Sequence, residues 1–143
     1  METKSETSRP YSGVIARLKG AGLRPTRQRI ALAKLLFDGE NRHVTAEELH
    51  DDARAAGVSV SLATVYNALH QFTDAGMMRE VVVEAGKSYF DTNTGDHYHF
   101  FHEDTGRLED IPSHRIDVGA LPESPTGTTV RRVDVIVRVG APR

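Results

Sequence analysis

The sequence predicts an α+β fold: an N-terminal winged helix-turn-helix domain followed by a small α/β dimerisation domain. Three observations support this prediction. Apolar residues recur at helical spacing up to residue 76, a hairpin pattern covers 78–91, and strand-like alternation follows residue 97. Helices closed by a hairpin are the element order of a winged helix-turn-helix. We place the division near residue 85, giving domains 1–85 and 86–143.

Two helices are predicted at the start of the first domain. Apolar side chains share one face over residues 12–20 and again over 27–38. Gly20 and Gly22 end the first helix, because glycine tolerates the positive φ of a helix C-terminus. Thr26 is the expected N-cap of the second, since its hydroxyl can accept a hydrogen bond from an unpaired amide of the first turn.

The next two helices have clearer start signals. Thr45 and Glu48 have the pattern of a capping box, in which each side chain bonds the backbone amide of the other residue. This helix is predicted to run to about Ala56. Ser61 is the expected N-cap of a fourth helix, which ends at Gly76. The third and fourth helices would be the supporting and recognition helices of the helix-turn-helix.

Strand patterns follow the helices. Residues 78–84 and 87–91 are separated by Ala85-Gly86, a two-residue hairpin loop. The remaining predicted elements are strands over 97–102, 107–111 and 130–139 and at most a short helix over 113–119. A sheet of about 55 residues is near the lower size limit for independent folding, so we expect its apolar face to pair with a second copy in a homodimer.

Composition and charge exclude several classes of protein. The 143 residues include no cysteine, which removes disulfides, thiolate nucleophiles and Cys-type structural zinc. No apolar run approaches the ~20 residues of a membrane helix, and no signal-peptide pattern begins the chain, so we expect a cytoplasmic protein without membrane contact. Residues 1–36 carry eight basic and two acidic residues, a net +6, and residues 37–143 carry ten and eighteen, a net −8. The basic front favours a polyanionic partner.

The predicted fourth helix carries side chains that suit the major groove of DNA. Ser61 and Thr64 can bind phosphate, as can the helix N-terminus. Tyr66 can lie against a thymine methyl, and Asn67 has the donor and acceptor that suit adenine. Arg24, before the second helix, can reach a minor groove or a phosphate. The alternative is that Tyr66 is a half-buried packing residue and Asn67 an ordinary surface amide.

Histidines and carboxylates are concentrated around residues 91–110. His97 and His99 point to the same side of a strand, because strand side chains alternate. Asp91 precedes them, Asp110 follows them, and His43 lies earlier in the chain. Nitrogen and oxygen ligands of these types suit zinc, manganese or iron. The alternative is a solvated histidine strand that pairs with acids.

Four motifs stand in a fixed order along the chain. They are residues 22–29 (GLRPTRQR), 43–49 (HVTAEEL), 61–67 (SLATVYN), and Phe90-Asp91 followed by His97-Tyr98-His99. Together they resemble the ferric uptake regulator family of metal-dependent transcription factors. The resemblance implies a homodimer that binds an AT-rich operator, with Arg24 and Tyr66 against a minor groove and a base. It also implies interdomain metal ligands at His43, Asp91, His99 and Asp110, with His97 in this site or a second one.

Departures from the family pattern narrow this prediction. His102 and Thr105 replace the family's CxxC pair, and the long dimerisation-domain helix is shortened to 113–129. With the two phenylalanines after the HxH and the ending RVDVIVR at 132–138, the chain is most similar to the iron response regulators of alphaproteobacteria, which implies haem as a ligand. Without cysteine, any haem must be held by histidine. The candidate haem ligands are His97, His99, His43 and His102.

We therefore expect a dimeric DNA-binding regulator of iron and haem metabolism genes that responds to haem or iron, and no enzymatic activity. A manganese- or zinc-responsive repressor of the same family stays open, because His/Asp sites bind several metals. A remote alternative is a cupin-like metalloenzyme, since His97, His99 and Glu103 have HxH-x3-E spacing. Val130 stands where the second cupin motif needs histidine, and about 55 residues are too few for a double-sheet barrel.

Overall fold

The computed structural model describes residues 12–142, so the first eleven residues of the basic front lie outside the described part. The chain divides into two compact units between Thr94 and Gly95. The division expected at residue 85 would separate the two strands of the hairpin. Because these strands pair with each other, the division falls after the hairpin instead.

Four helices are described in the first unit, where the sequence predicted them. They are α1 (Ser12–Gly20), α2 (Arg27–Phe37), α3 (Ala46–Ala55) and α4 (Leu62–Asp74). Thr26 caps α2 by accepting a hydrogen bond from the backbone amide of Arg29 at 3.2 Å. Thr45 and Glu48 make both hydrogen bonds of the capping box, at 3.1 and 2.8 Å. Among the described residues, no helix has both the length and the apolar character needed to cross a membrane.

The helices of the first unit pack around one apolar core. Leu18, Leu32, Leu49 and Phe72, one from each helix, are fully buried. The ring of Phe72 meets that of Phe37 edge-on, with 5.9 Å between their centroids. Each such side chain contributes roughly 1.5–3 kcal/mol on burial, so this core fixes the positions of α3 and α4.

A three-stranded antiparallel sheet completes the first unit. Its strands are β1 (His43–Val44), β2 (Arg79–Glu84) and β3 (Lys87–Asp91), in the order β1-β3-β2. The hairpin of β2 and β3 is the predicted wing. The two-residue strand β1 was not predicted, because a pattern this short has no measurable period. Its register sets His43 opposite Asp91.

The described part of the second unit contains another three-stranded sheet. Its strands are β4 (His97–His102), β5 (Arg107–Pro112) and β6 (Ile136–Val139), in the order β5-β4-β6. β5 is antiparallel to β4, and β6 is parallel to it. A sheet of this size is not the double-sheet barrel of a cupin.

Two predictions for the second unit concern a strand and a short helix, and the strand was wrong in extent. The strand predicted over 130–139 is regular only in β6, where the parallel pairing with β4 begins at Ile136. At most a short helix was predicted over 113–119, and the structure has a single 3-10 turn there, Ser113–Arg115. Pro112 precedes this turn and no side chain caps it, so a longer helix has no stabilised start.

Candidate functional site

His97, His99 and Asp110 form a compact cluster in the second unit. His99 and Asp110 are directly opposite each other in the β4–β5 ladder, so their side chains lie on the same face. The Nε2 atoms of His97 and His99 lie 3.7 and 3.4 Å from Asp110 Oδ1. One possible ligand atom from each residue lies within 4.8 Å of the others. The two imidazoles are buried, whereas the Asp110 side chain is 49% exposed.

The hydrogen bonding of His97 fits a metal ligand. Its Nδ1 lies 2.7 Å from the carbonyl oxygen of Gly95, which can only accept a hydrogen bond. In a neutral imidazole, Nδ1 then carries the proton and Nε2 keeps a lone pair directed towards the Asp110 carboxylate. A divalent cation between Nε2 and the carboxylate could take both as ligands. A backbone carbonyl hydrogen-bonded to the other ring nitrogen is typical of metal-bound histidine.

The other two predicted metal ligands lie together in the first unit. His43 and Asp91 are opposite each other in the β1–β3 ladder and share one face of the sheet. His43 is half-buried and its ring meets Tyr89 edge-on, 6.3 Å between centroids. Asp91 is buried and accepts a hydrogen bond from the backbone amide of Asn93 at 2.9 Å. Asp91 also ends β3, six residues before His97 begins β4.

His102, a predicted haem ligand, lies on the opposite face of β4 from His97 and His99. Its Nε2 is 2.9 Å from Glu109 Oε1, which also accepts a hydrogen bond from Arg107 at 3.1 Å. The hydrogen bond to His102 is the main reason that the pKa of Glu109 lies below its ordinary value, and Arg107 adds to this effect. His102 therefore belongs to a separate surface ion-pair network.

The predicted DNA-binding residues of α4 lie along its N-terminal half. Ser61 Oγ caps the helix by accepting from the Thr64 amide at 3.1 Å, and it donates to the Thr64 hydroxyl at 2.9 Å. Ser61 is thus used by the cap, while the Thr64 hydroxyl keeps its own proton for an outside acceptor. Asn67 is exposed, as a base-reading residue must be.

Tyr66 is 38% exposed and is held by two neighbours. Its hydroxyl donates to Glu47 Oε2 at 3.2 Å, and its ring stacks on His70 with centroids 6.4 Å apart. Partial burial raises the pKa of Tyr66, and the charge and hydrogen bond of Glu47 raise it further. The contact with the Glu47 carboxylate was not predicted, because nothing in the spacing of residues 47 and 66 indicates it.

A polar cleft of about 420 Å³ joins Arg24 to α4. Arg24, Thr64 and Asn67 line it, and two residues that were not predicted, Arg29 and Gln71, line it as well. Gln71 lies four residues after Asn67, one helical turn along the same face. That spacing is the only sequence signal that could have indicated its place.

Comparisons with known proteins identify the family. The profile of the Ferric uptake regulator family matches residues 20–134. The chain is 36% identical over 103 residues to the peroxide-responsive repressor PerR of Staphylococcus epidermidis, covering 72% of this chain and 68% of that protein. It therefore spans about two thirds of that repressor's length.

Solved structures agree with this result. The ferric uptake regulator from Pseudomonas aeruginosa with manganese is 26% identical, with a TM-score of 0.66 over 90% of this chain and 97% of that one. The Vibrio cholerae ferric uptake regulator is also 26% identical, with a TM-score of 0.69 over 89% and 98%. The α+β fold class is thus confirmed, while the likeness to iron response regulators stays a prediction. The chain belongs to the ferric uptake regulator family, whose members are metal-responsive transcription regulators.

Proposed function

We propose that this protein is a dimeric repressor that binds AT-rich double-stranded DNA and responds to a divalent metal ion. The observation that carries the proposal is the cluster of His97, His99 and Asp110. Histidine nitrogens and a carboxylate oxygen are the donor set of iron, manganese and zinc sites. In the neutral form of His97 whose Nδ1 donates to the Gly95 carbonyl, the Nε2 lone pair is available to a cation beside Asp110 Oδ1.

We extend the proposed ligand set to His43 and Asp91. They share one face of the first unit's sheet, and Asp91 precedes His97 by six residues, a span of at most about 20 Å. When bound, the metal would supply positive charge and a fixed coordination geometry for these ligands. A coupling of about 1–3 kcal/mol between metal and DNA binding would change DNA affinity roughly 5–150-fold.

A compact ion suits these residues better than haem does. His97 and His99 are 6% and 3% exposed, and both approach the same carboxylate oxygen. An axial haem ligand must instead present its nitrogen to a flat macrocycle. His102 is more exposed but is bound to Glu109 and Arg107. We therefore propose iron, manganese or zinc as the ligand, and haem is the alternative that the experiment below separates.

The DNA contacts are proposed for the surface formed by Arg24 and α4. Arg24 would bind a minor groove or phosphate, and Thr64 with the N-terminus of α4 would bind phosphate. Tyr66 and Asn67 would contact base edges. Ser61 contributes indirectly, because its hydroxyl caps α4 and orients the Thr64 hydroxyl.

The dimer contact is proposed for the second unit. Val118, Leu121 and Val130 are 42%, 48% and 53% exposed in the segment between β5 and β6. A unit of about 50 residues is near the limit of independent stability, so burial of these side chains against a second copy would add apolar area that one copy lacks.

Fluorescence anisotropy on AT-rich duplexes at fixed salt tests the proposal. The protein is measured metal-free, with manganese and with haem. The salt concentration is held constant because phosphate contacts make DNA affinity strongly salt-dependent. We expect manganese to change DNA affinity and haem to leave it unchanged. If haem alone abolished DNA binding, haem would replace a metal ion as the proposed ligand. If no duplex were bound in any of the three states, the DNA-binding function would be contradicted.

A second candidate signal is peroxide, favoured by the 36% identity to the peroxide-responsive repressor of Staphylococcus epidermidis. Iron is redox-active, whereas zinc is not. We expect peroxide to release the iron-loaded protein from its duplex and to leave the zinc-loaded protein bound. Equal behaviour of the two loaded forms would contradict this candidate.

A further inference from the structure

We propose that Gln71 and Arg29 form a positioning pair that holds Arg24 in register with α4 and thereby sets the DNA-sequence preference. The proposal rests on the DNA-binding function proposed above. Neither Gln71 nor Arg29 is assigned a base contact. Their role would be to fix the distance between the minor-groove side chain and the base-reading residues of α4.

The Arg29 guanidinium connects α2 to α4. Arg29 lies in the first turn of α2, and Gln71 lies in the C-terminal half of α4. Both Nε and Nη2 of Arg29 donate to Gln71 Oε1, at 3.2 and 2.9 Å. Two donors on one oxygen fix the plane of the guanidinium, which a single hydrogen bond would not do.

The same guanidinium also holds the backbone of Arg24. Arg29 Nη1 donates to the Arg24 carbonyl oxygen at 3.0 Å, and the Thr26 amide donates to that oxygen at 2.9 Å. The Arg24 side chain is left exposed at the rim of the cleft. Gln71 therefore reaches Arg24 through one intervening side chain.

The remaining N–H groups of Arg29 suit a contact with a DNA phosphate. Three of its N–H groups are used by Gln71 and Arg24, so two of the five remain for a phosphate in the cleft. Phosphate contacts place a protein on the duplex, whereas base contacts read the sequence. The Arg29–Gln71 pair joins Arg24 to the helix that carries Asn67. The phosphate contacts and the base contacts would therefore depend on each other.

The test replaces Gln71 by methionine, which keeps the side-chain length and removes the hydrogen-bond acceptor. The probes are a duplex selected from a random pool by the wild-type protein and a scrambled duplex of the same composition. Gln71→Met should weaken binding to the selected duplex roughly tenfold, the scale of one hydrogen bond to a charged group, and leave the scrambled duplex within about twofold. Thermal unfolding checks that the variant is folded, and Gln71→Asn, whose shorter amide falls short of Arg29, is a second test.

Arg27→Met is the matched control, because it removes one exposed cation from the same turn of α2. Arg27→Met should weaken binding to both duplexes alike. It should also lower the slope of log K against log[salt] by about 1. Arg29→Met and the double variant complete a mutant cycle. If the pair acts as one unit, the double variant binds the selected duplex about as well as Arg29→Met alone.

Three results would overturn the proposal. In the first, Gln71→Met keeps the wild-type preference for the selected duplex. In the second, it loses equal affinity for both duplexes, and in the third, the affinity losses of the two single variants add in the double variant. Each would show that Gln71 does not set the sequence preference through Arg29. A wild-type protein that selects no sequence would defeat the DNA-binding function itself and this inference with it.

Discussion

Replacement of Asp110 by asparagine tests the proposed metal site most directly. The substitution keeps the size of the side chain and removes its negative charge. Because the Asp110 side chain is 49% exposed, the change should leave the buried imidazoles and the β4–β5 ladder in place. The expected effect is a loss of metal affinity without a loss of metal-free stability.

The size of this effect follows from the exposure of Asp110. A carboxylate oxygen about 2.2 Å from a divalent ion gains about 4 kcal/mol when the dielectric is that of water. The amide oxygen of asparagine retains part of this interaction, so we take about half, ~2 kcal/mol, as the loss. That corresponds to roughly 30-fold weaker binding of manganese.

Thermal unfolding with manganese measures this loss. At a manganese concentration 100 times the wild-type Kd, bound metal stabilises the folded protein by about 2.7 kcal/mol, and about 0.9 kcal/mol should remain in Asp110→Asn. For a chain of this size, the Tm increase should fall from about 11 °C to about 4 °C. Glu109→Gln is the control, since it removes the adjacent carboxylate, which binds His102 instead. Equal Tm increases in the two variants would refute the assignment of Asp110 as a ligand.

Three further predictions concern packing and protonation. Phe72→Ala should lower the free energy of unfolding by about 3–5 kcal/mol in urea, because Phe72 is fully buried. Glu47→Gln should lower the pKa of Tyr66 only in part, as read by tyrosinate absorbance, since burial is the largest cause of its rise. His102→Leu should raise the pKa of Glu109 towards its ordinary 4.5, as read by NMR. In the wild type that pKa is depressed, so the stabilisation from the pair is present above pH 4.5 and is lost as the pH falls through the folded-state pKa.

Local signals predicted the helices well, because each start depends on residues three or four apart. Thr26, Thr45 and Ser61 all cap the helices that they were expected to cap. Strands need a partner, and this is where prediction failed. A strand was predicted over 130–139, but only Ile136–Val139 forms a ladder with β4.

The cluster of His97 and His99 was predictable by residue type and by strand parity. His97 and His99 have the same parity on β4 and lie together, whereas His102 has the opposite parity and does not. Parity alone therefore indicates that His102 does not join the cluster of His97 and His99. The position of Asp110 required the register of β5, which the sequence does not indicate. The Arg29–Gln71 contact joins residues 42 apart and has no local signal.

The strand that carries His43 is also the strand tied to the helices of the first unit. Its neighbour Arg42 exchanges two hydrogen bonds with Thr92, both at 2.9 Å, which hold β1 beside the end of β3. The Arg42 guanidinium binds Asp52 of α3 at 2.7 Å and the carbonyl of Leu35 in α2 at 3.3 Å. One side chain therefore connects the start of β1 to both helices. An ion that took His43 as a ligand would act next to this connection to α2 and α3, whereas an ion held by the second unit alone would not.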